Sequence, residues 1–403
     1  MNFKDMIRVH YIQPTTARRI ITILLVTLIH LHGYPQDTLQ QSKLVFNGYV
    51  KDVEMVLFQK ERSYNTSANF LHNRINLKWL PTASVLASLE LRNQLVWGNL
   101  LKKYPDYGDM LATDPRYADL SFNVFSERSA LLNVAVDRAW VQYSKGKLQL
   151  VAGRQRISWG QTFVWNPNDI FNTYSYFDFD YEEKPGCDAL RLQYYPTATS
   201  VIEVAAKVNS QGKATVAGLY RFNRWEYDFQ LIGGMVDEAD IVLGVGWSGQ
   251  LLDGGLRGEA TCFFPKRCFL KSDGVLVASV GYDYTFESSL FIQTEVLYNG
   301  SKDTVNIISL SQFAGSGLNA KNLFVPSFSV FGSASYPVTP LVSCSLSGII
   351  NPKEELLFVI PSVSISLMEN LELSFNGQLL WSYGAGDGYQ NLGVVFGRLK
   401  WSF

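Results

Sequence analysis

The sequence predicts an all-β fold, a closed transmembrane antiparallel up-and-down barrel of about 18 strands. Three observations indicate this fold class. Apolar and polar residues alternate along the chain after residue 40, no helical period or long apolar run follows that point, and short and long connections take turns between the strands. The alternative is a barrel of about 16 strands, if one short hairpin near residues 198–223 does not form.

The composition indicates dispersed apolar residues. Of the 403 residues, 14% are aromatic and only 18% are charged, while the mean hydropathy is +0.01. A net charge of −1 gives no indication of a nucleic-acid partner. The four cysteines, Cys187, Cys262, Cys268 and Cys344, include no CxxC pair, so we predict no metal site and no cofactor.

Residues 1–35 have the layout of a secretory signal peptide. The basic stretch ARRI precedes the apolar run IITILLVTLI, and the chain then becomes polar at HLHGYPQD. This run is too short to cross a bilayer as a helix, so we expect the segment to be removed. Residues 36–403 are then predicted to form a single barrel domain.

Alternation is clearest in the segments NRINLKWL (73–80), WEYDFQL (225–231) and ENLELSFNGQLLWS (369–382). Each places apolar side chains on one face of a strand and polar side chains on the other. A soluble antiparallel sandwich would show the same pattern. Aromatic residues at strand ends, and strands of about ten to fifteen residues, favour strands that cross a membrane.

The connection lengths distinguish the two folds. Short turns such as PTA at 81 and PVTP at 337 alternate with long connections at 98–130, 159–186 and 299–321. A sandwich gives no reason for this sorting, whereas outer-membrane barrels have short periplasmic turns and long outer loops. Both termini are therefore expected on the periplasmic side. Strands are predicted to begin near residues 44, 68, 83, 131, 147, 187, 198, 213, 225, 239, 252, 273, 288, 322, 340, 354, 369 and 390.

The last predicted strand is NLGVVFGRLKWSF, which ends at Phe403. It must pair with the first strand, because an open edge in lipid leaves backbone groups without partners. A final strand that ends in Phe resembles the C-terminal signature that bacterial outer-membrane proteins present to the barrel assembly machinery. The resemblance implies a Gram-negative outer membrane, with its lipid and that machinery as partners.

The segment 153–196 carries the most specific motif. It combines G-R-Q and W-G on a strand with N-P-x-D in the loop that follows, at Gly153, Arg154, Gln155, Trp159, Gly160, Asn166, Pro167 and Asp169. This pattern resembles porin-like families that include alginate-export channels and related outer-membrane proteins. The resemblance covers roughly fifty residues and does not fix the solute.

In many porins the third outer loop folds inward, so the resemblance implies a constriction at residues 159–186. The stretch FDFDYEE then puts Asp178, Asp180 and Glu182 on one side of an extended segment. Basic residues in the inward phase of neighbouring strands are expected to face them. The predicted constriction residues are these three acids with Arg74, Arg92, Arg154, Arg156 and Arg191.

Two alternatives stay open for these residues. Lumenal charges commonly cross-link the inner wall of a barrel rather than contact a solute. In the same way, Asn166, Pro167 and Asp169 could form a turn and a helix start rather than a binding element. Cys262 and Cys268 flank FFPKR, where a disulfide is permitted, although the short spacing favours two free thiols.

The predicted function is an outer-membrane channel for diffusion or substrate-biased passage of small hydrophilic solutes, either oligosaccharides or organic anions. The alternative is a structural or secretion-accessory barrel without solute transport. We predict no enzyme and no catalytic residues, because His72 is the one histidine beyond the signal segment and no serine is placed as its nucleophile. Oligomeric state and gating are left open by the sequence.

Overall fold

The computed structural model describes residues 43–59, 66–174, 183–269, 273–301, 319–384 and 388–403. The predicted signal peptide at 1–35 lies outside these residues. The described chain is almost entirely β-structure, with two short helices, α1 (Leu100–Lys103) and α2 (Tyr107–Ala112), and a 3-10 turn at Lys266–Cys268. Among the described residues, no helix is long and apolar enough to cross a membrane.

The strands are β1 (Leu44–Gln59), β2 (Thr66–Thr82), β3 (Val85–Gly98), β4 (Ser121–Ser126), β5 (Ala130–Lys145), β6 (Leu148–Gln155), β7 (Cys187–Thr197), β8 (Ser200–Val208), β9 (Ala214–Arg224), β10 (Tyr227–Val236), β11 (Asp240–Leu251), β12 (Gly254–Pro265), β13 (Val275–Thr285), β14 (Phe291–Asn299), β15 (Ser327–Thr339), β16 (Val342–Asn351), β17 (Leu356–Met368), β18 (Leu371–Gly384) and β19 (Gly388–Ser402). Each strand except β4 pairs antiparallel with the strands before and after it, β3 pairing directly with β5.

The sheet closes on itself because β1 pairs with both β2 and β19. At this seam Tyr49 is opposite Ser402, and Gln59 is opposite Leu392. The short strand β4 pairs only with β5, so the closed wall has 18 strands. The prediction of an all-β closed antiparallel barrel of about 18 strands is confirmed, and the alternative of 16 is wrong.

At one end of the barrel, which we name the turn end, every connection is short, and the long connections leave from the other end, which we name the loop end. The turn end carries connections such as 83–84, 146–147, 225–226 and 252–253, whereas 156–186 lies at the loop end. The central residues of two of these turns have positive φ, as two-residue hairpins with the twist of a β-sheet require: Trp225 (54°), Glu226 (63°), Leu252 (48°) and Asp253 (65°).

The outward face of the wall is mainly apolar and exposed. Its side chains include Leu190, Leu192, Val204, Leu231, Leu243, Val245, Val296, Leu346 and Val395. Residues between them on the same strands point into the barrel and are buried, as Gln193 and Glu203 illustrate. The alternation predicted from the sequence thus separates an apolar exterior from the lumen.

The lumen differs between its two halves. Near the loop end the inward side chains are apolar and buried, as at Val53, Phe70, Phe331, Phe358 and Leu380. Near the turn end β15 to β18 present inward serines, here called the serine wall: Ser333, Ser335, Ser343, Ser345, Ser347, Ser362, Ser364 and Ser374. Two of them bond across strands, with 2.8 Å between the Oγ atoms of Ser333 and Ser347.

A candidate constriction inside the barrel

The chain leaves the barrel wall at Gln155, where β6 ends. Gly153 just before has φ +113°, and a Cβ there would lie 2.3 Å from the carbonyl oxygen of Ala139, so a side chain does not fit. The Gln155 amide donates to the carbonyl oxygen of Ala189 on β7 at 3.0 Å. The described residues that follow, 156–174, are named the inward segment because they contact side chains that point into the lumen.

The strand β4 completes the wall above the short β6. Whereas β6 pairs with β5 between Ala139 and Lys145, β4 pairs with β5 at Ala135, Val134 and Asn133. The edge of β5 that β6 leaves open is therefore covered by β4. This arrangement lets the chain enter the lumen without exposing a strand edge.

Two inward glutamates, Glu259 on β12 and Glu295 on β14, hold the inward segment. The carboxylate of Glu259 accepts from the backbone N–H groups of Gln161 (3.0 Å), Thr162 (2.9 Å) and Asn168 (2.9 Å). That of Glu295 accepts from those of Phe163, Val164 and Trp165, each at 2.9 Å. Because an irregular segment has no strand partner for its amides, these two anchoring carboxylates supply the acceptors it needs.

The motif residues fold the inward segment back on itself. Asp169 accepts from the backbone N–H groups of Trp159 (2.5 Å) and Gly160 (2.9 Å) and faces Arg156 at 3.3 Å. Gly160 is packed so closely that a Cβ there would lie 2.2 Å from Oδ1 of Asn166. Burial raises the pKa of the Asp169 carboxyl. The structure thus brings together four motif residues, Trp159, Gly160, Asn166 and Asp169, around a turn.

Aromatic side chains seat the segment against the wall. Trp159 is fully buried, donates from Nε1 to Glu203 at 2.7 Å, and meets Phe171 edge to face at 4.9 Å. Trp165 packs on Phe324, with 5.7 Å between ring centroids. Since Phe324 is also buried, residues 320–325 of a second long connection contribute to the same apolar packing.

Arg74 points inward and is buried among carboxylates. Only 1% of its side chain is exposed, and its guanidinium lies 2.5 Å from Glu90 and 2.7 Å from Asp137. Asp137 reaches it because β5 has one extra residue between the partners of Glu90 and Leu91. Its charge cross-links strands β2, β3 and β5, which is the alternative that the sequence left open, and it also lies 3.6 Å from Glu183 of the loop. A role for Arg74 at the constriction stays a prediction.

Arg154 is also placed differently from the prediction. It is 2% exposed, bonds Asp188 at 2.7 Å and Asp114 at 2.9 Å, and donates to the carbonyl oxygen of Ala118. Its strand partner Asp188 lies on the face of β7 opposite to Arg191. The Arg154 charge therefore fastens residues 114–118 to the wall instead of lining the lumen.

The other predicted cations keep some exposure. Relative side-chain exposure is 19% for Arg92, 14% for Arg156 and 22% for Arg191. Arg191 is paired with Glu203 at 2.7 Å, and Arg92 lies 3.6 Å from Asp137. The predicted acids Asp178, Asp180 and Glu182 lie outside the described residues.

Glu183 and Lys184 show where the loop reaches the opposite wall. Glu183 accepts from the hydroxyl of Tyr49 at 3.0 Å and lies 3.6 Å from Arg74. The Lys184 ammonium sits 3.6 Å from the ring centroid of Tyr174. Burial, with a further contribution from Arg156, lowers the pKa of Lys184 to about 8. The loop therefore touches β12 and β14 at one end and β1 and β2 at the other.

Several of these site residues were not singled out by the sequence. Glu259 and Glu295 are inward acids by alternation alone, but their contact with a loop more than ninety positions away leaves no local signal. The serine wall does have a local sequence signal, which is the alternation of serines in VSCSLSG and PSVSISL. Asp137 could not be identified from the sequence, because the bulge in β5 shifts the alternation of inward and outward side chains at this residue.

Phe403 lies at the closing seam. Its backbone N–H donates to the Gly48 carbonyl at 3.0 Å, and its ring stacks on Phe46 with 5.7 Å between centroids. Recognition of Phe403 by an assembly machinery stays a prediction. Cys262 has a free thiol, and its predicted alternative partner, the Cys268 side chain, lies outside what the structure describes.

Known structures share this fold. Pseudomonas aeruginosa OccK11 (OpdR) superposes with a TM-score of 0.56 at 8% identity, covering 89% of this chain and 96% of that chain. Pseudomonas aeruginosa OccK9 (OpdG) gives 0.56 at 11% identity, with 89% and 98% covered. Acinetobacter baumannii OccAB1 gives 0.53 at 8% identity, with 90% and 97% covered. At these identities the likeness shows the barrel fold.

Comparison of sequences adds no closer assignment. No family model matches this chain, and no curated protein matches it. The resemblance of Gly153–Asp169 to alginate-export channels therefore stays a prediction.

Proposed function

We propose that the chain is an outer-membrane channel for small hydrophilic solutes, with residues 159–186 as its constriction. The observation that carries the proposal is the pair of anchoring carboxylates, Glu259 and Glu295, which hold an irregular segment inside a closed barrel. A barrel that only needed a stable wall would have no use for a loop held across its lumen. Narrowing of a water-filled passage is the role that this geometry supports best.

Membrane insertion is supported by the exterior of the wall. Apolar outward side chains cover the middle of the strands, and aromatic residues such as Phe46, Trp79, Trp97 and Phe58 lie near strand ends. Such a band with aromatic borders matches the lipid-facing surface of outer-membrane barrels. We infer that the turn end and both chain termini face the periplasm, and that the barrel assembly machinery inserts the chain.

The side chains that line the lumen near the turn end favour the passage of polar solutes. The serine wall offers hydroxyl groups, and Arg398 on β19 faces it, donating to Ser374 at 2.9 Å and to Glu372 at 2.7 Å. Hydroxyl groups can replace water around a sugar, and partly exposed guanidinium groups such as that of Arg191 can attract a carboxylate. Oligosaccharides and organic anions are therefore the two solute classes to compare.

One observation favours the alternative, a barrel with a structural or secretion-accessory role. The loop-end half of the lumen is packed with apolar side chains, among them Trp165, Phe324 and Phe331. If this packing leaves no continuous water path, solutes do not cross.

Liposome swelling separates the two functions. Purified barrel in vesicles should admit small sugars and small carboxylates, with rates that fall steeply as solute size increases. The variant Glu372→Gln, which changes a lumenal acid bonded to Arg398 and to no described residue of the inward segment, provides the matched control and should swell like the parent. Vesicles that contain inserted, folded barrel but fail to swell with any solute would support the structural alternative.

A further inference from the structure

The outward face of β1, β2 and β3 carries a group of polar side chains in the middle of the span. We name it the polar outer patch; its members are Asp52, Glu54, Asn69, Asn73 and Asn93. At comparable positions on the other strands the outward side chains are mostly apolar, for example Leu243 and Val245 on β11. A carboxylate that faces hydrocarbon is costly, so the patch calls for a partner.

The strand register fixes the direction of these side chains. The pairing of β1 with β2 and β19 continues without a shift around Asp52 and Glu54. Because Lys51 and Val53 are buried inside the barrel, Asp52 and Glu54 must point outward. Their row on β1 begins at Phe46, so both carboxylates lie well inside the apolar band and away from either border.

The patch divides into an acceptor side and a donor side. On β1 and β2, Glu54 accepts from Nδ2 of Asn69 at 2.5 Å. Asp52 makes no ion pair or side-chain hydrogen bond with the described part of the chain. On β2 and β3, Asn93 donates to Asn73 at 3.1 Å, and its amide has a second N–H to offer.

We propose that the polar outer patch is the contact surface between two copies of this chain, placed side by side in the membrane and related by a two-fold axis along the membrane normal. With such an axis, the left side of the patch on one copy faces the right side of the patch on the other copy. The amides on β3 of one copy then face the carboxylates on β1 of the other, and the same contact forms twice.

Donor and acceptor complementarity therefore identifies a second copy as the occupant. The inference rests on the membrane location proposed above, but not on solute transport.

Cross-linking in lipid vesicles tests the geometry. In a variant with all native cysteines replaced by serine, Asn73→Cys should form a covalent dimer under mild oxidation, because residue 73 lies close to the axis. The matched control keeps only Cys344, which points outward from β16 on another part of the wall, and should stay monomeric. A dimer formed equally through Cys344 overturns the proposal, as does a monomeric Asn73→Cys variant.

Replacement of the acids tests the chemistry. The double variant Asp52→Leu/Glu54→Leu should still insert and fold, but its dimer should dissociate roughly tenfold more readily or worse, as measured by mass photometry. The control Leu243→Ala/Val245→Ala on β11 should keep the dimer. An unchanged dimer in the acid variant overturns the proposal.

Two further outcomes distinguish a failure of the dimer proposal from a failure of the proposed membrane location. A parent barrel that is inserted in vesicles but monomeric overturns the interface alone. A barrel that does not enter lipid overturns the membrane location, and the interface with it. Capture of a different protein by the patch in native membranes, with no dimer, also contradicts the proposal.

Discussion

Arg154 is buried between two carboxylates, Asp188 at 2.7 Å and Asp114 at 2.9 Å. Arg116 adds a second guanidinium 2.5 Å from Asp114 and helps to lower the pKa of that carboxyl. Charges buried in this way are stable only together, because removal of one partner leaves the others without compensation. The cluster thus ties residues 114–118 to β6 and β7.

Replacement of Arg154 by Met should lower the free energy of unfolding by roughly 3–5 kcal/mol, since Asp188 loses its guanidinium partner and Asp114 keeps only Arg116. Urea unfolding of the barrel in vesicles measures this change. Arg128→Ala, an exposed arginine before β5, is the control and should stay within about 0.5 kcal/mol of the parent. If Arg154→Met changed ion selectivity but not stability, the placement of Arg154 away from the lumen would be wrong.

Lys184 provides a pH-dependent charge at the candidate constriction. Its pKa is lowered to about 8, mainly by burial, from an ordinary value of 10.5. The folded protein therefore holds a full positive charge there below about pH 7 and little above about pH 9. The charged form is disfavoured by folding, so Lys184 destabilises the barrel at low pH, and this effect disappears as the pH rises from about 8 toward 10.5.

The ion selectivity of the proposed channel should accordingly shift toward cations as the pH rises through about 8. Reversal potentials in a salt gradient at about pH 6.5 and about pH 9.5 measure the shift. Lys184→Met should remove most of it and keep the cation preference of the alkaline state. An equal shift in the parent and in Lys184→Met would assign the pH dependence to another group.

At the scale of elements, alternation in the sequence predicts strands well because each has one apolar and one polar face. The predicted starts at 44 and 187 coincide with those of β1 and β7, and 322 for β15 is off by five positions. The early start at 322 includes Phe324 and Val325, which are apolar because they pack inside the lumen. The sequence pattern alone cannot distinguish apolar loop residues that pack inside the lumen from the apolar face of a strand.

The candidate site could be predicted only in part. The motif located the inward segment, and the inward phase of β12 and β14 gave Glu259 and Glu295 as lumenal acids. Which of these acids contacts the loop depends on the position of each acid along the barrel axis and on the curvature of the wall. Neither can be read from the sequence. The pairing of Arg74 could not be predicted for a similar reason: its partner Asp137 is brought into reach by a bulge in β5.

The acid row of the loop gives a prediction for a whole element. If Asp178, Asp180 and Glu182 line the passage, their replacement by Asn and Gln should shift permeability toward anions. Deletion of 172–183 should raise the conductance without preventing assembly, because the closing strand is unaffected. Planar-bilayer recordings test both changes. Unchanged conductance and reversal potential would place this part of the loop outside the passage.

At the scale of the whole molecule, closure depends on the seam between β1 and β19. Its last backbone bonds join Gly48 and Phe403, at 2.9 and 3.0 Å, beside the stacked rings of Phe46 and Phe403. The sequence could predict this closure because an unpaired edge is excluded in lipid, and because every second connection around the barrel is short. Both constraints are global and need no knowledge of individual contacts.

Phe403→Ala should therefore reduce the yield of folded barrel in the outer membrane, while the barrels that do form keep the parent conductance. Phe375→Ala, which removes an exposed outward aromatic from β18, is the matched control and should assemble with near-normal yield. Heat-modifiable migration in gels measures the folded fraction. A normal yield for Phe403→Ala would contradict the assembly role.

The central claim is that a segment held inside the lumen by Glu259 and Glu295 narrows a continuous passage. Single-channel conductance of Glu259→Gln/Glu295→Gln tests it most directly, since glutamine keeps the size of each side chain but removes the charge that accepts six backbone N–H groups. Glu372→Gln, a lumenal acid bonded to Arg398 and not to the loop, is the control. We predict a larger and noisier conductance for the double variant and the parent value for the control. A folded double variant with the parent's conductance, or the same increase in both variants, would contradict the account.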